Sequence, residues 1–98
     1  MVRHRLNCIV IYDIIDDNLR VLISETLKDY GLKRIQKSAF MGTLQKHFLN
    51  SLLTDLRKMV TVTADKVIVF SLCNFDFRKI TLIGQVLGEE EKKKVDFY

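Results

Sequence analysis

A run of apolar residues, Cys8-Ile9-Val10-Ile11-Tyr12, ends on a carboxylate, Asp13, and two more acids, Asp16 and Asp17, follow it closely. An acid at the end of a buried strand, beside a helix N-terminus, is well placed for divalent-metal or acid–base chemistry. The same residue can instead cap the helix or pair with a lysine. No second acidic cluster follows closely, so either Asp13 is structural or a second carboxylate comes from a partner. Asp16 and Asp17 read as cap and dipole residues of the helix that they open, with water-mediated help to a metal as the lesser option. For Arg34 and Arg20 the functional reading is phosphate contact, because a guanidinium forks onto two phosphate oxygens. The alternative is a solvated face, which is the leading reading for Arg20. Lys33, Lys37 and Lys46 are expected around one strand end, as a stripe that tracks a nucleic-acid backbone. Ser38 either hydrogen-bonds near a metal or satisfies a bend in the chain.

The remaining reactive side chains carry less. Cys8 and Cys73 are far apart, and His4 and His47 stand at no ligand spacing to them, which excludes a zinc site of the usual pattern. They read as two buried thiols in strands, with a disulfide as the alternative in a hyperthermophile's protein. His47 falls on the polar face of a helix with nothing to orient it as a general base. Tyr12 and Phe40 read as core residues rather than base-stacking platforms, Phe40 in the core or at an interface between chains.

The elements that must position these groups follow from periodicity. Asn7 to Asp13 is a strand apolar on both faces. Leu19, Leu22, Ile23, Leu27 and Tyr30 recur at helical spacing, and Gly31 supplies a left-handed stop. Lys33 to Met41 is extended, with a bend or bulge expected at Lys37-Ser38 to bring Ile35 and Phe40 to one face. Gly42 is expected to end that strand and Thr43 to cap a second helix striped with Leu44, Phe48, Leu52, Leu56 and Met59. A connector from Val60 to Asp65 leads to a strand from Lys66 to Cys73, a turn from Asn74 to Lys79 and a short strand from Ile80 to Gly84.

A chain of 98 residues with 48% hydrophobic and 29% charged residues is one globular domain rather than a disordered chain. The net charge of +4 favours a polyanionic partner over an acidic-protein role. No stretch is apolar enough to cross a bilayer and no signal-peptide layout opens the chain, so no membrane association and a cytoplasmic location are expected. The domain is assigned to residues 1–84. Residues 85–98 form a tail in which Glu89-Glu90-Glu91 and Lys92-Lys93-Lys94 precede Val95-Asp96-Phe97-Tyr98, a candidate edge strand for a partner chain.

This order predicts an α+β fold, the ferredoxin-like split βαβ sandwich, with an extra C-terminal strand. Right-handed crossovers put both helices on one sheet face, and apolar residues then remain on the other. The cover expected for them is the same face of a second copy, a sheet-to-sheet homodimer. Near a two-fold axis one Asp13 per chain becomes a facing pair, enough to hold a divalent cation.

Tyr12-Asp13-Ile14, Asp16-Asp17-Asn18-Leu19-Arg20, Tyr30-Gly31-Leu32 and Arg34-Ile35-Gln36-Lys37-Ser38-Ala39-Phe40-Met41-Gly42 together resemble the small CRISPR-associated endonuclease family, Cas two. The motifs run from Asn7 to about Leu56 and continue more loosely through Lys66 to Gly84. The resemblance implies a ferredoxin-like homodimer with Asp13 as catalytic and metal-binding residue and magnesium, or another divalent cation, between the copies. It implies cleavage of single-stranded RNA or double-stranded DNA. It also implies a role in spacer acquisition, bridging the integrase subunit and holding DNA. The alternative is a catalytically silent nucleic-acid-binding scaffold of the integrase complex. A third reading, an unrelated ferredoxin-like RNA-binding module, predicts aromatics on the open sheet face, where this chain carries aliphatics.

Overall fold

The β-branched run at the start of the chain forms β1 (Arg5–Asp13), and the helical repeat after it forms α1 (Asp17–Asp29). A computed structural model describes residues 5–61 and 64–84. After α1 come β2 (Lys33–Gln36), β3 (Ala39–Gln45), α2 (Lys46–Met59), β4 (Lys66–Leu72) and a short helix, α3 (Asn74–Phe77). Asp16 caps α1, its carboxylate accepting from the Leu19 amide at 2.8 Å, and Gly31 ends the turn after the helix at φ 94°. The cap and the left-handed stop are both as the sequence predicts.

The strands form one sheet in the order β2-β3-β1-β4, with every neighbouring pair antiparallel. This is the ferredoxin-like α+β arrangement. Both helices cover the face that carries Cys8, Val10, Tyr12, Phe40 and Leu44, and Ile23, Leu27, Leu49, Leu52 and Leu56 close the core over it. The Tyr30 hydroxyl donates to Asp55 at 2.8 Å and ties the end of α1 to α2. Burial pushes the Cys8 thiol up to about 11, so it is a neutral core group at physiological pH.

The other sheet face is open. Cross-strand pairing places Ile9 and Ile11 of β1 beside Phe70 and Ile68 of β4, and Ile11, Ile68 and Phe70 are 40%, 49% and 43% exposed. The apolar residues on β1 therefore alternate between a fully covered and a half-exposed set, and Phe70 puts an aromatic on the open face where aliphatics alone were expected.

Several boundaries differ from expectation. The bend at Lys37-Ser38 is a full turn between two paired strands, with a register shift between Arg34 and Gln36. β3 does not stop at Gly42 but runs to Gln45, because pairing with β1 continues to the Arg5–Gln45 step. Gly42 lies inside the ladder against Leu32, where a Cβ would come within 2.6 Å of the Leu32 Cδ2. Thr43 is consequently no helix cap. Its hydroxyl donates to the Asn7 side chain at 2.9 Å, and the N-cap of α2 is Gln45, without a side-chain bond. Leu44 packs in the sheet core rather than on α2, and Phe48 is 47% exposed.

Cys73 is not a buried strand thiol. It caps α3, is exposed, and like Cys8 is free of any disulfide. Residues 80–84 form no strand within the chain. The turn of α3 begins directly after β4, and Asn74 is bonded to Asn7 of β1 at 2.7 Å. Among the described residues the backbone thus turns into α3 after β4 and does not return along its edge. The tail expected over 85–98 lies outside the described residues.

Candidate nucleic-acid and metal site

β1 delivers Asp13 to the sheet end where the β2–β3 turn and the first turns of α1 converge. Tyr12, Asp13, Arg20, Arg34, Lys37 and Ser38 line a cleft of about 480 Å³ there, with Ile14, Val21 and Ser24 completing its lining. Asp13, Arg20, Arg34, Lys37 and Ser38 are together in this one cleft, although they come from three separate segments, whereas Asp16, Asp17, Lys33 and Lys46 do not line it.

The backbone explains the convergence. The Tyr12 amide donates to the Ser38 carbonyl at 3.0 Å, which joins the end of β1 to the β2–β3 turn. The Tyr12 hydroxyl donates to the Lys37 carbonyl at 3.4 Å, and Arg34 Nη1 donates to the same oxygen at 2.8 Å. The Arg34 guanidinium also lies 5.0 Å from the centre of the Phe40 ring, a cation–π contact with a fully buried core residue. Arg34 is therefore a half-buried residue of the turn whose charge still borders the cleft. Arg20 is engaged on the opposite wall. Its Nη1 donates to the Ile14 and Ile15 carbonyls at 2.9 and 3.2 Å, and its other nitrogen pairs with Asp17. Arg20 is thus not simply on a solvated face: it braces the loop after Asp13.

Tyr12 is the feature that the sequence reading did not place in the site. It was assigned to the core and is buried there, but its ring also lines the cleft. Burial raises the phenol pKa, and the charges of Arg34 and Arg20 pull it back only in part. Tyr12 is thus a neutral hydrogen-bond donor.

Asp13 is exposed, and among the described residues its carboxylate makes neither a hydrogen bond nor an ion pair. Strand pairing sets it across from Lys66, on the same open face as Ile9 and Ile11. Among the described residues no group of three His, Cys, Asp or Glu side chains gathers to hold a metal. Asp13 is the one carboxylate among the described residues that lines the cleft.

The lysine stripe needs correcting. Lys37 lies in the turn before β3 and Lys46 follows its last residue, so the whole of β3 separates them. His47 is exposed and packs its ring 4.2 Å from that of Phe48, as expected of a solvated helix residue.

Residues 6–80 match the family model described as CRISPR associated protein Cas2. The chain belongs to the Cas2 family. It is 40% identical over 80 residues to a CRISPR-associated endoribonuclease Cas2 of Korarchaeum cryptofilum, covering 82% of this chain and 86% of that one. A second protein of that name, from Desulforudis audaxviator, is 33% identical over 89% of this chain and 82% of its own length. A solved structure titled as cas2 superimposes with a TM-score of 0.70 at 28% identity, covering 89% of this chain and 95% of that one. The Cas2 fold is thus shared along nearly the whole described chain, including the strand end that carries Asp13. No helix among the described residues is long and apolar enough to cross a membrane.

Proposed function

We propose that this Cas2-family chain is a metal-dependent endonuclease of RNA or duplex DNA that acts as a homodimer in CRISPR spacer acquisition. The observation that carries the reading is the cleft in which an exposed Asp13, unbonded among the described residues, lies with Arg34 and Lys37 at the edge of an open apolar sheet face. A second copy packed on that face covers Ile11, Ile68 and Phe70 and brings two Asp13 carboxylates into one site. Together the pair would hold magnesium or another divalent cation, which when bound polarises a phosphate and lowers the pKa of a water. Lys37 and the cleft-facing edge of Arg34 attract and hold the phosphodiester backbone. Tyr12, kept neutral, donates rather than accepts at the cleft wall. Two carboxylates make a sparse site, so catalysis is slow. The curated relatives' name, endoribonuclease, supports cleavage of RNA.

A Thermoproteus tenax protein named as a fusion of CRISPR-associated endonuclease Cas1 and endonuclease Cas2 is 33% identical over 65% of this chain. It supports the integrase subunit as the partner, with the dimer bridging two dimers of that subunit on DNA in the cytoplasm. The deciding experiment incubates the purified protein with single-stranded RNA and with duplex DNA, with magnesium and with a chelator. Magnesium-dependent cleavage of either substrate is expected. Tight binding of duplex DNA and of the integrase subunit with no cleavage under any metal or pH favours the silent scaffold instead.

A further inference from the structure

Asp65 lies in the connection between α2 and β4, immediately before Lys66, the residue paired with Asp13. It is a carboxylate only 8% exposed, the sole acid among the buried polar residues described. Its Oδ1 accepts a hydrogen bond from the Ile15 amide at 3.1 Å, across 50 positions of sequence. The carbonyl of the same Ile15 is held from the other side by Arg20 at 3.2 Å, and the Ile14 carbonyl by the same guanidinium at 2.9 Å. The segment that leaves Asp13 is therefore gripped at successive peptide groups, by the start of β4 on one side and by α1 on the other. Among the described residues the Ile15 amide is the hydrogen-bond partner of the Asp65 carboxylate. Burying one is unfavourable unless a charge-assisted bond results, and the bond formed here ends on the loop that aims Asp13.

We infer that Asp65 is a positioning residue: by holding the Ile15 amide it fixes the direction in which the end of β1 presents the Asp13 carboxylate. The inference rests on the reading of Asp13 as a metal ligand and extends it to a residue that touches neither metal nor substrate. A carboxylate shared across a two-fold axis tolerates little drift, because each error is doubled by its copy.

The test uses the intact protein with manganese(II) alone as probe, alongside amide exchange of Ile15 followed by NMR. Asp65→Ala is expected to speed Ile15 exchange at least about tenfold and to weaken manganese binding about 10- to 100-fold, as loss of an outer-shell partner does. Turnover falls with it while KM for nucleic acid stays within about twofold, since the cations of the cleft are untouched. Asp65→Asn keeps an oxygen acceptor for the Ile15 amide and is expected to restore manganese affinity. A folded Asp65→Ala protein with wild-type manganese affinity overturns the inference, as does failure of Asp65→Asn to recover it. Should the Ala variant not fold, Asp65→Glu keeps the charge and moves the acceptor by one methylene. Wild-type manganese affinity with the Ile15 amide released then refutes the role. Asp13→Asn runs in the same titration. Unchanged manganese binding by that variant removes the metal reading itself, and the Ile15 exchange rates still decide whether Asp65 holds the strand end.

Discussion

β1 carries a polar side chain near each end of the same open sheet face, and the fold treats the two in opposite ways. Asn7 is 5% exposed and fully engaged: its amide nitrogen donates to Asn74 at 2.7 Å and to the Leu72 carbonyl at 3.3 Å, and its oxygen accepts from Thr43 at 2.9 Å. Asp13 is exposed and has no such partner among the described residues. Between them lie Ile9 and Ile11. A polar group whose donors and acceptors are all matched inside the chain is part of the scaffold. A charged group on a paired strand, without a partner among the described residues, is available to bind something else. The contrast supports the proposed site at one end of the strand and sets architecture at the other.

Replacing Asp13 is the largest way to sharpen that contrast. Asp13→Asn keeps the volume and removes the charge, so magnesium-dependent cleavage is expected to fall to background while dimer and nucleic-acid binding persist. Mixed dimers with one mutant chain should also be severely impaired, because one carboxylate holds magnesium poorly. Wild-type cleavage by the purified Asn variant, with contaminating nuclease excluded, would sink the catalytic assignment.

The apolar stretch between the two ends comes next. Ile11→Asp sets a charge in the middle of the proposed sheet-to-sheet contact, where an unpaired buried charge costs about 3 kcal/mol or more. Sedimentation should show a dimer for the wild type at micromolar concentration and a folded monomer for the variant. A wild-type monomer would leave each Asp13 without its copy and remove the basis for a shared site.

At the other end, Asn7→Ala removes the buried side chain that joins Thr43 of β3, Leu72 of β4 and Asn74 of α3. Urea unfolding should show a loss of about 1 kcal/mol, the net worth of a hydrogen bond whose partners can turn to solvent. Cleavage by the folded fraction should not change. A large drop in turnover with intact stability would mean that both ends of the strand serve the chemistry.

The same contrast explains what could be read from sequence. Asp13 was legible because an acid that ends an apolar run breaks the local pattern, and Asp16, Gly31 and the leucines of α2 were legible because capping and periodicity are local. Asn7, Thr43 and Asp65 were not. Each has its role through a partner 36 or more positions away, and no local pattern marks such a bond. Thr43 was even misleading, since a Thr before a leucine-rich stretch fits a helix cap until the strand pairing is known. The cleft was legible as a set of residues but not as a geometry. Arg20 and Arg34 follow phosphate-binding patterns, and only the structure reveals that both guanidiniums are already bonded to backbone carbonyls. The strand expected over residues 80–84 failed for a related reason: α3 and the Asn7–Asn74 bond redirect the chain after β4.

The smallest expected effect separates the cations of the cleft. Arg34 holds the Lys37 carbonyl and stacks on Phe40, so Arg34→Ala removes a charge and loosens the turn at once. Lys37 is exposed, and among the described residues its ammonium group has no ion-pair partner. Lys37→Ala therefore removes a charge alone. If Lys37 neutralises one phosphate of bound duplex DNA, its loss reduces the slope of log affinity against log salt by about 0.9 and leaves the melting temperature unchanged. Arg34→Ala should lower both the slope and the melting temperature. Fluorescence anisotropy across a salt series, paired with thermal melts, distinguishes the two. An unchanged slope for Lys37→Ala would place the DNA away from the β2–β3 turn. The cleft would then be a small site for the scissile phosphate rather than part of a track along the duplex.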